Sequence, residues 1–183
     1  TGVVIPFSCS AWIHSIHRSI DVARAAGIEH AAAATGSTSE LAVKTLYDLP
    51  EEALIDMGDF AGGTLKYIRR HPIRRLTIAG GFAKLGKLGA GLLDLHSKRG
   101  RIDLDWMAVS AMESGASEEL VKDIREAETA GRALRIAKAS NFPIGDIVAR
   151  AARNTALEQV SNETEVEVLI FDRKGVLVGR CDG

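Results

Sequence analysis

The sequence predicts an α/β fold, a mostly parallel sheet flanked by helices with a C-terminal β-hairpin, on three observations. Short β-like runs alternate with helix-length apolar periods, the order expected when each parallel strand is followed by a covering helix. Glycine or Ser/Thr clusters stand where a strand would pass into a helix, at "ATGSTSE" and "IAGGF". The last two β-like runs are joined by Asp172-Arg173-Lys174-Gly175, a tight turn instead of a helix. Together they give a three-layer, Rossmann-like arrangement, read as a single α/β domain over residues 1–183.

The elements follow in chain order. Val3 to Ile5 reads as a strand, and the helix after it runs from about Ala11 to Ala26, stopping at Gly27, where a left-handed cap costs little. Ile13, Ile16, Ile20 and Ala23 recur at helical spacing and should face the core. His30 to Thr35 is a weak strand by propensity because it is mostly alanine, yet Ser37 and Glu40 after it have capping-box spacing for a helix through Tyr47. Beyond Pro50, Leu54, Met57, Ala61, Leu65 and Ile68 form one helical stripe ending near His71-Pro72. Leu76 to Ala79 is the third strand and leads into the glycine-rich stretch through Gly100. Helices are expected over Leu104–Glu113 after Asp103, and over Glu118–Ala139 with Ser117 as cap and a break near Gly131. Pro143 opens a helix whose apolar face holds Ile144, Ile147, Val148 and Ala151, and Val166–Phe171 with Val176–Gly179 make the hairpin.

Hydrophobic residues at 46% and charged residues at 26% provide a core and solubility, which excludes a disordered chain. A net charge of −1 gives no overall attraction to nucleic acid or an anionic membrane, and neither is an expected partner. Cys9 and Cys181 are too few and too distant for a disulfide framework, so a cytoplasmic setting is expected. No apolar run approaches the roughly 18 residues of a membrane span, and no signal peptide opens the chain. The start at Thr1, moving at once into an apolar run, reads as cut from something longer.

Several constellations are candidates for chemistry. Gly80-Gly81 ends a strand and would aim the N–H groups of the next helix beyond the sheet, at an anion. On that helix Leu85, Leu88, Leu92 and Leu95 form one stripe, with Lys84, Lys87 and Gly91 on an adjacent face that would admit a flat carboxylated ligand; tight helix packing with solvated lysines explains the same residues equally well. His96 and Arg99 would extend a basic rim, or simply complement a helix C-terminus. Thr35 to Glu40 lies where open α/β sheets bind ligands, and Thr38 and Ser39 exceed what capping requires. Asp56 and Asp59 would share a helix face as paired carboxylates, for proton transfer or as a solvated face. His14, Arg18 and Asp21 line one side of the first helix, whereas His17 falls on its apolar side as a hydrogen-bonded core residue. No HxH, HExxH or Cys/His set supports a metal site, and no GxSxG supports a serine hydrolase.

Read in order, "VVIPFSCSAWIHSIHRSIDVARAAG", "ATGSTSE", "IDMGDFAGG" and "IAGGFAKLGKLGAGLLDLHSKRGRIDLDWMA" resemble the CbiD family of cobalt-precorrin-5B methyltransferases, as do "ARNTALEQV" and the C-terminal hairpin. The resemblance implies an enzyme of cobalamin biosynthesis that moves a methyl group from S-adenosyl-L-methionine to ring carbon 1 of a cobalt-containing corrin precursor, giving cobalt-precorrin-6A. A chain of this family is about twice as long, so this one resembles its C-terminal portion, and a homo-oligomer stays open. On this reading Thr35, Gly36, Ser37, Thr38, Ser39, Gly80 and Gly81 would meet the methyl donor. Lys84, Lys87, Gly91, His96 and Arg99 would meet the corrin precursor, and His14, Asp56 or Asp59 would take a proton if one must leave. The competing expectation is a non-catalytic α/β module that binds a small anion or serves in assembly.

Overall fold

Alternation of strand and helix leaves each parallel strand pointing the same way, and the chain order decides where the sheet opens. The computed structural model describes residues 9–96 and 103–182. Its helices are α1 (Cys9–Ala25), α2 (Ser37–Tyr47), α3 (Ala61–Arg70), α4 (Phe82–Gly89), α5 (Leu104–Glu113), α6 (Glu118–Arg125), α7 (Ala130–Ala139) and α8 (Ile144–Leu157). The strands are β1 (His30–Ala34), β2 (Leu54–Asp56), β3 (Arg75–Gly81), β4 (Glu165–Phe171) and β5 (Leu177–Cys181). They form one sheet in the order β2-β1-β3-β4-β5, parallel except for the antiparallel β4–β5 hairpin. The chain leaves β1 for a neighbour on one side and then for a neighbour on the other, which opens a crevice at the carboxyl ends of β1 and β3.

The alanine strand forms because it is central. Ala31 through Ala34 are 0–1% exposed, Ala32 to Ala34 are flanked by strands on both sides, and all are small enough to let helices approach both faces. One face, with Ala31, Ala33, Leu76, Ile78, Val166, Val168 and Ile170, joins the large core beneath α1 and the helices from α3 onward. The other face, with Ala32, Ala79, Leu169 and Phe171, is covered by Val43 of α2 and by Leu49 and Ala53 just after it. The layers are therefore unequal in thickness.

Gly27 has φ +71 and ends α1 as expected. Asp103 and Ser117 cap α5 and α6 by accepting the backbone N–H of Trp106 and Leu120. Other expectations are corrected. The stripe from Leu54 to Ile68 is two elements: Leu54-Ile55-Asp56 pairs with β1 as a strand, Gly58 turns at φ +57, and the helix begins only at Ala61. Asp56 and Asp59 therefore do not share a helix face. Ser37 and Glu40 make no capping box; Gly36 is the N-cap, and the Ser39 hydroxyl donates back to the Gly36 carbonyl at 2.8 Å. The helix at Glu118 breaks between Arg125 and Ala130, where Glu128 has φ +58 and Thr129 caps α7, so Gly131 is inside the new helix. The α4 helix ends at Gly89, which leaves Leu92 and Leu95 off its stripe. Val3–Ile5 lies outside the described residues.

Two features fix the hairpin to the body. Gly145 of α8 lies against the β5 backbone so closely that a Cβ there would stand 1.8 Å from the Val178 carbonyl oxygen, and Asp146 accepts the outward N–H of Arg180 at 2.8 Å. At the amino edge of the sheet, Glu167 is 2% exposed yet fully partnered. It accepts from Tyr47 Oη at 2.6 Å and Thr77 Oγ1 at 2.7 Å, and pairs with Arg75 at 3.2 Å and Arg180 at 3.0 Å. Burial, and then the bond to this carboxylate, push the Tyr47 hydroxyl up to about 12. Among the described residues no helix is long and apolar enough to cross a membrane.

Candidate functional site

The crevice predicted by the strand order is built from three strand ends in one row. Register pairs Ala34 of β1 with Asp56 of β2 and with Ala79 of β3, so Thr35-Gly36, Met57-Gly58 and Gly80-Gly81 emerge side by side. The Thr35 N–H donates to the Ala79 carbonyl at 2.9 Å, and the Met57 N–H to that of Ala34 at 2.9 Å. Gly80 is glycine for a local reason: a Cβ there would stand 2.8 Å from Thr35 Oγ1 and 2.9 Å from Leu85 Cγ.

Two helices start from this row, α2 after Gly36 and α4 after Gly81, and neither start has a side-chain cap. Among the described residues, a Cβ on Gly36 or Gly81 would meet nothing within 4 Å. First-turn N–H groups of two helices thus converge on uncrowded space, favourable for an anionic or strongly polar ligand group. Ser37 and Thr38 are exposed beside it, whereas Thr35 and Ser39 are buried.

Charge at the edge is balanced within it. The Lys84 ammonium donates to the Thr35 carbonyl at 2.6 Å and lies 3.0 Å from Asp59 Oδ1, an ion-pair contact without hydrogen-bond alignment. Asp56 is exposed at the end of β2. Glu40 on α2 is held above the usual carboxylate value by burial, then by Asp56 and Glu51 nearby. The Lys44–Glu51 ion pair flanks the same side of α2.

The structure thus brings together Thr35, Gly36, Ser37, Thr38, Ser39, Gly80, Gly81, Asp56, Asp59 and Lys84. It does not bring the rest. Lys87 is 7% exposed, and its ammonium donates to the carbonyls of Leu95 at 3.0 Å and His96 at 3.3 Å, which pins the loop after α4. Gly89 is covered by Trp106 of α5 and Ala151 of α8, at 2.8 and 3.3 Å from a Cβ built there. Of the α4 face expected to admit a ligand, Lys87 is thus buried, whereas Lys84 stays part-exposed at the sheet edge; Gly89, elsewhere on the helix, is packed under α5 and α8. Gly91 has φ +87 and serves the turn, His96 is exposed in the loop, and Arg99 lies outside the described residues. His14 is exposed on α1 with its ring 6.3 Å from that of His17.

His17 is hydrogen-bonded to the Gly63 backbone as expected but is only partly buried; it stacks on Tyr67 at 3.9 Å, and Tyr67 stacks on His71 at 4.1 Å while donating to Asp21 at 2.8 Å. This ladder holds α1 to α3. Burial, then His14, hold the His17 imidazole below its ordinary value. Sequence reading missed it because the two helices are joined only through space.

Comparison with known proteins bears on what this edge serves. A cobalt-precorrin-5B C(1)-methyltransferase of Bradyrhizobium sp. is 61% identical over 184 residues, covering 100% of this chain and 49% of that relative. This chain belongs to the CbiD family. Proteins of the same name from Paramagnetospirillum magneticum and Halorhodospira halophila are 56% and 55% identical over 98% and 99% of the chain. The family description "CbiD, C-terminal domain" matches residues 94–182, from the loop after α4 through β5. This CbiD chain spans about half the length of the curated relatives it matches, 49–50% of each. No solved structure matches it. Within CbiD, then, the crevice residues Thr35 to Lys84 precede the matched C-terminal domain, and the hairpin belongs to it. Among the described residues no cluster of His, Cys, Asp or Glu could hold a metal ion.

Proposed function

We propose that this chain forms the C-terminal half of an S-adenosyl-L-methionine-dependent methyltransferase that acts on ring carbon 1 of cobalt-precorrin-5B, giving cobalt-precorrin-6A in cobalamin biosynthesis. The observation that carries this reading is identity of 61% along the entire chain to a protein of that name. The geometry supports it. Gly36 and Gly81, bare toward the crevice, and the unpaired first turns of α2 and α4 fit the polar end of a methyl donor.

When bound, S-adenosyl-L-methionine supplies a methyl group already activated on a sulfonium, so orientation contributes much of the rate. The chain's part is to bind and align. Ser37 and Thr38 present hydroxyls at the start of α2, and Lys84 fixes the Thr35 carbonyl and hence the β1 end. Asp59 is engaged by Lys84, which leaves exposed Asp56, one strand from Gly36, as the better-placed acceptor of a proton released by the macrocycle.

In the full-length protein, isotopically labelled S-adenosyl-L-methionine should pass its methyl to cobalt-precorrin-5B, read by product mass. Asp56→Asn should lower kcat roughly 100-fold with little change in KM. Failure of the wild type both to transfer label and to bind S-adenosylhomocysteine by titration calorimetry overturns the reading.

A further inference from the structure

On the thin face of the sheet, α2 and the hairpin do not close against each other. Between them runs a groove of about 600 Å³, within the range of small-molecule sites, roughly 300–1,000 Å³. Its walls include Leu41 and Leu46 of α2, Phe171 of β4 and Leu177 of β5; its rim includes Thr38 and Lys174. Leu41 is 67% exposed and Leu46 49%, on the helix that covers that face, so the surface is apolar and contiguous.

The charge around it is sorted. Glu40 and Lys44, with Glu51 and Asp56, lie on the opposite flank of α2, toward β2. Asp172, at the hairpin turn, spends its carboxylate on the backbone N–H groups of Lys174 at 2.8 Å and Val176 at 3.0 Å. Lys174 is thus the ionised side chain on the groove wall, with Arg173 exposed next to it. The groove also reaches Ser37 and Thr38, the first turn of α2, next to Gly36 at the end of β1.

We infer that this groove seats the methyl acceptor, a flat macrocycle apolar on its faces and carboxylated at its edge, with Lys174 gripping a peripheral carboxylate. The inference rests on the methyltransferase reading and adds the location. An apolar wall matches the ring face, a cation at the rim matches the carboxylates, and the reach of the groove to Ser37 and Thr38 at the α2 N-terminus would set acceptor beside donor. This is a different surface from the α4 face that carries Lys84 and Lys87.

The test uses the full-length protein with its native cysteines replaced, carrying Leu46→Cys in the groove or Val22→Cys on the outside of α1, 52% exposed, as reference. The probe is cobyrinic acid, a stable corrin with free side-chain carboxylates, whose absorbance reports binding. At about ten times its Kd the corrin should slow maleimide labelling of Leu46→Cys about tenfold, tracking the unbound fraction, and leave Val22→Cys unchanged. Lys174→Glu should raise the corrin Kd about tenfold and Lys174→Arg should restore it. If the corrin binds and Leu46→Cys labels as fast as before, the acceptor lies elsewhere; the inference fails and the methyltransferase reading stands. If Leu46→Cys is shielded without corrin, another part of the polypeptide or a second copy occupies the groove, and the inference fails. If wild type binds no corrin while methyl transfer is also absent, the functional reading itself has failed.

Discussion

Two glycine-bearing stretches follow neighbouring strands and differ in what stands against them. After β1, Gly36 opens α2 with none of the described residues within 4 Å of where its Cβ would be. In α4, after β3, Gly89 is faced by the Trp106 ring at 2.8 Å and by α8 behind it. The adjacent lysines differ likewise: Lys84 is 38% exposed in its side chain at the sheet edge, whereas Lys87 is buried under loop carbonyls. A missing side chain is thus the same local fact with two uses, room for a ligand or room for a helix. Only the neighbours distinguish them.

Substitutions at these positions probe the contrast. The largest effect is expected at Gly89→Val, whose branched side chain has to displace Trp106 or Ala151; stability should fall by about 3 kcal/mol, read as a lower urea midpoint. An unchanged midpoint would mean that α4 is not packed and would restore it as a ligand face. Next, Lys87→Met should cost about 2 kcal/mol by leaving the Leu95 and His96 carbonyls without their donor. If this variant is fully stable but loses corrin affinity, the basic-rim expectation revives. The smallest stability change belongs to Gly36→Ala, within about 0.5 kcal/mol, since φ 168 is extended backbone open to any residue. That variant should nevertheless weaken S-adenosylhomocysteine binding about tenfold, because its methyl enters the space the donor needs. Equal affinity would move the donor site away from α2.

Much of the fold was legible. Gly27, Asp103, Ser117 and the Asp172–Gly175 turn work as their local chemistry implies. The stripe from Leu54 to Ile68 misled because apolar residues of a short buried strand and of the next helix happen to continue one helical period; Gly58, at φ +57, was the available sign of a break. At the candidate site, Thr35–Ser39 and Gly80–Gly81 were each recognisable as strand-to-helix turns. Their adjacency was not. Nor was the groove beside α2, whose walls come from residues near 40 and near 175. The Glu167 cluster has a partial signal in the "EVEV" alternation, but its four partners come from α2, β3 and β5.

By itself the sequence determined the succession of strands and helices, the positions of the turns and the family, because these depend on residues close along the chain or on the order of whole motifs. The tertiary structure alone decided which glycine stayed bare and which lysine was spent. That outcome depends on Trp106 and Ala151, distant in sequence, coming to rest against α4 while none of the described residues comes to rest against Gly36. Packing partners of that kind leave no trace in the local spacing of residues.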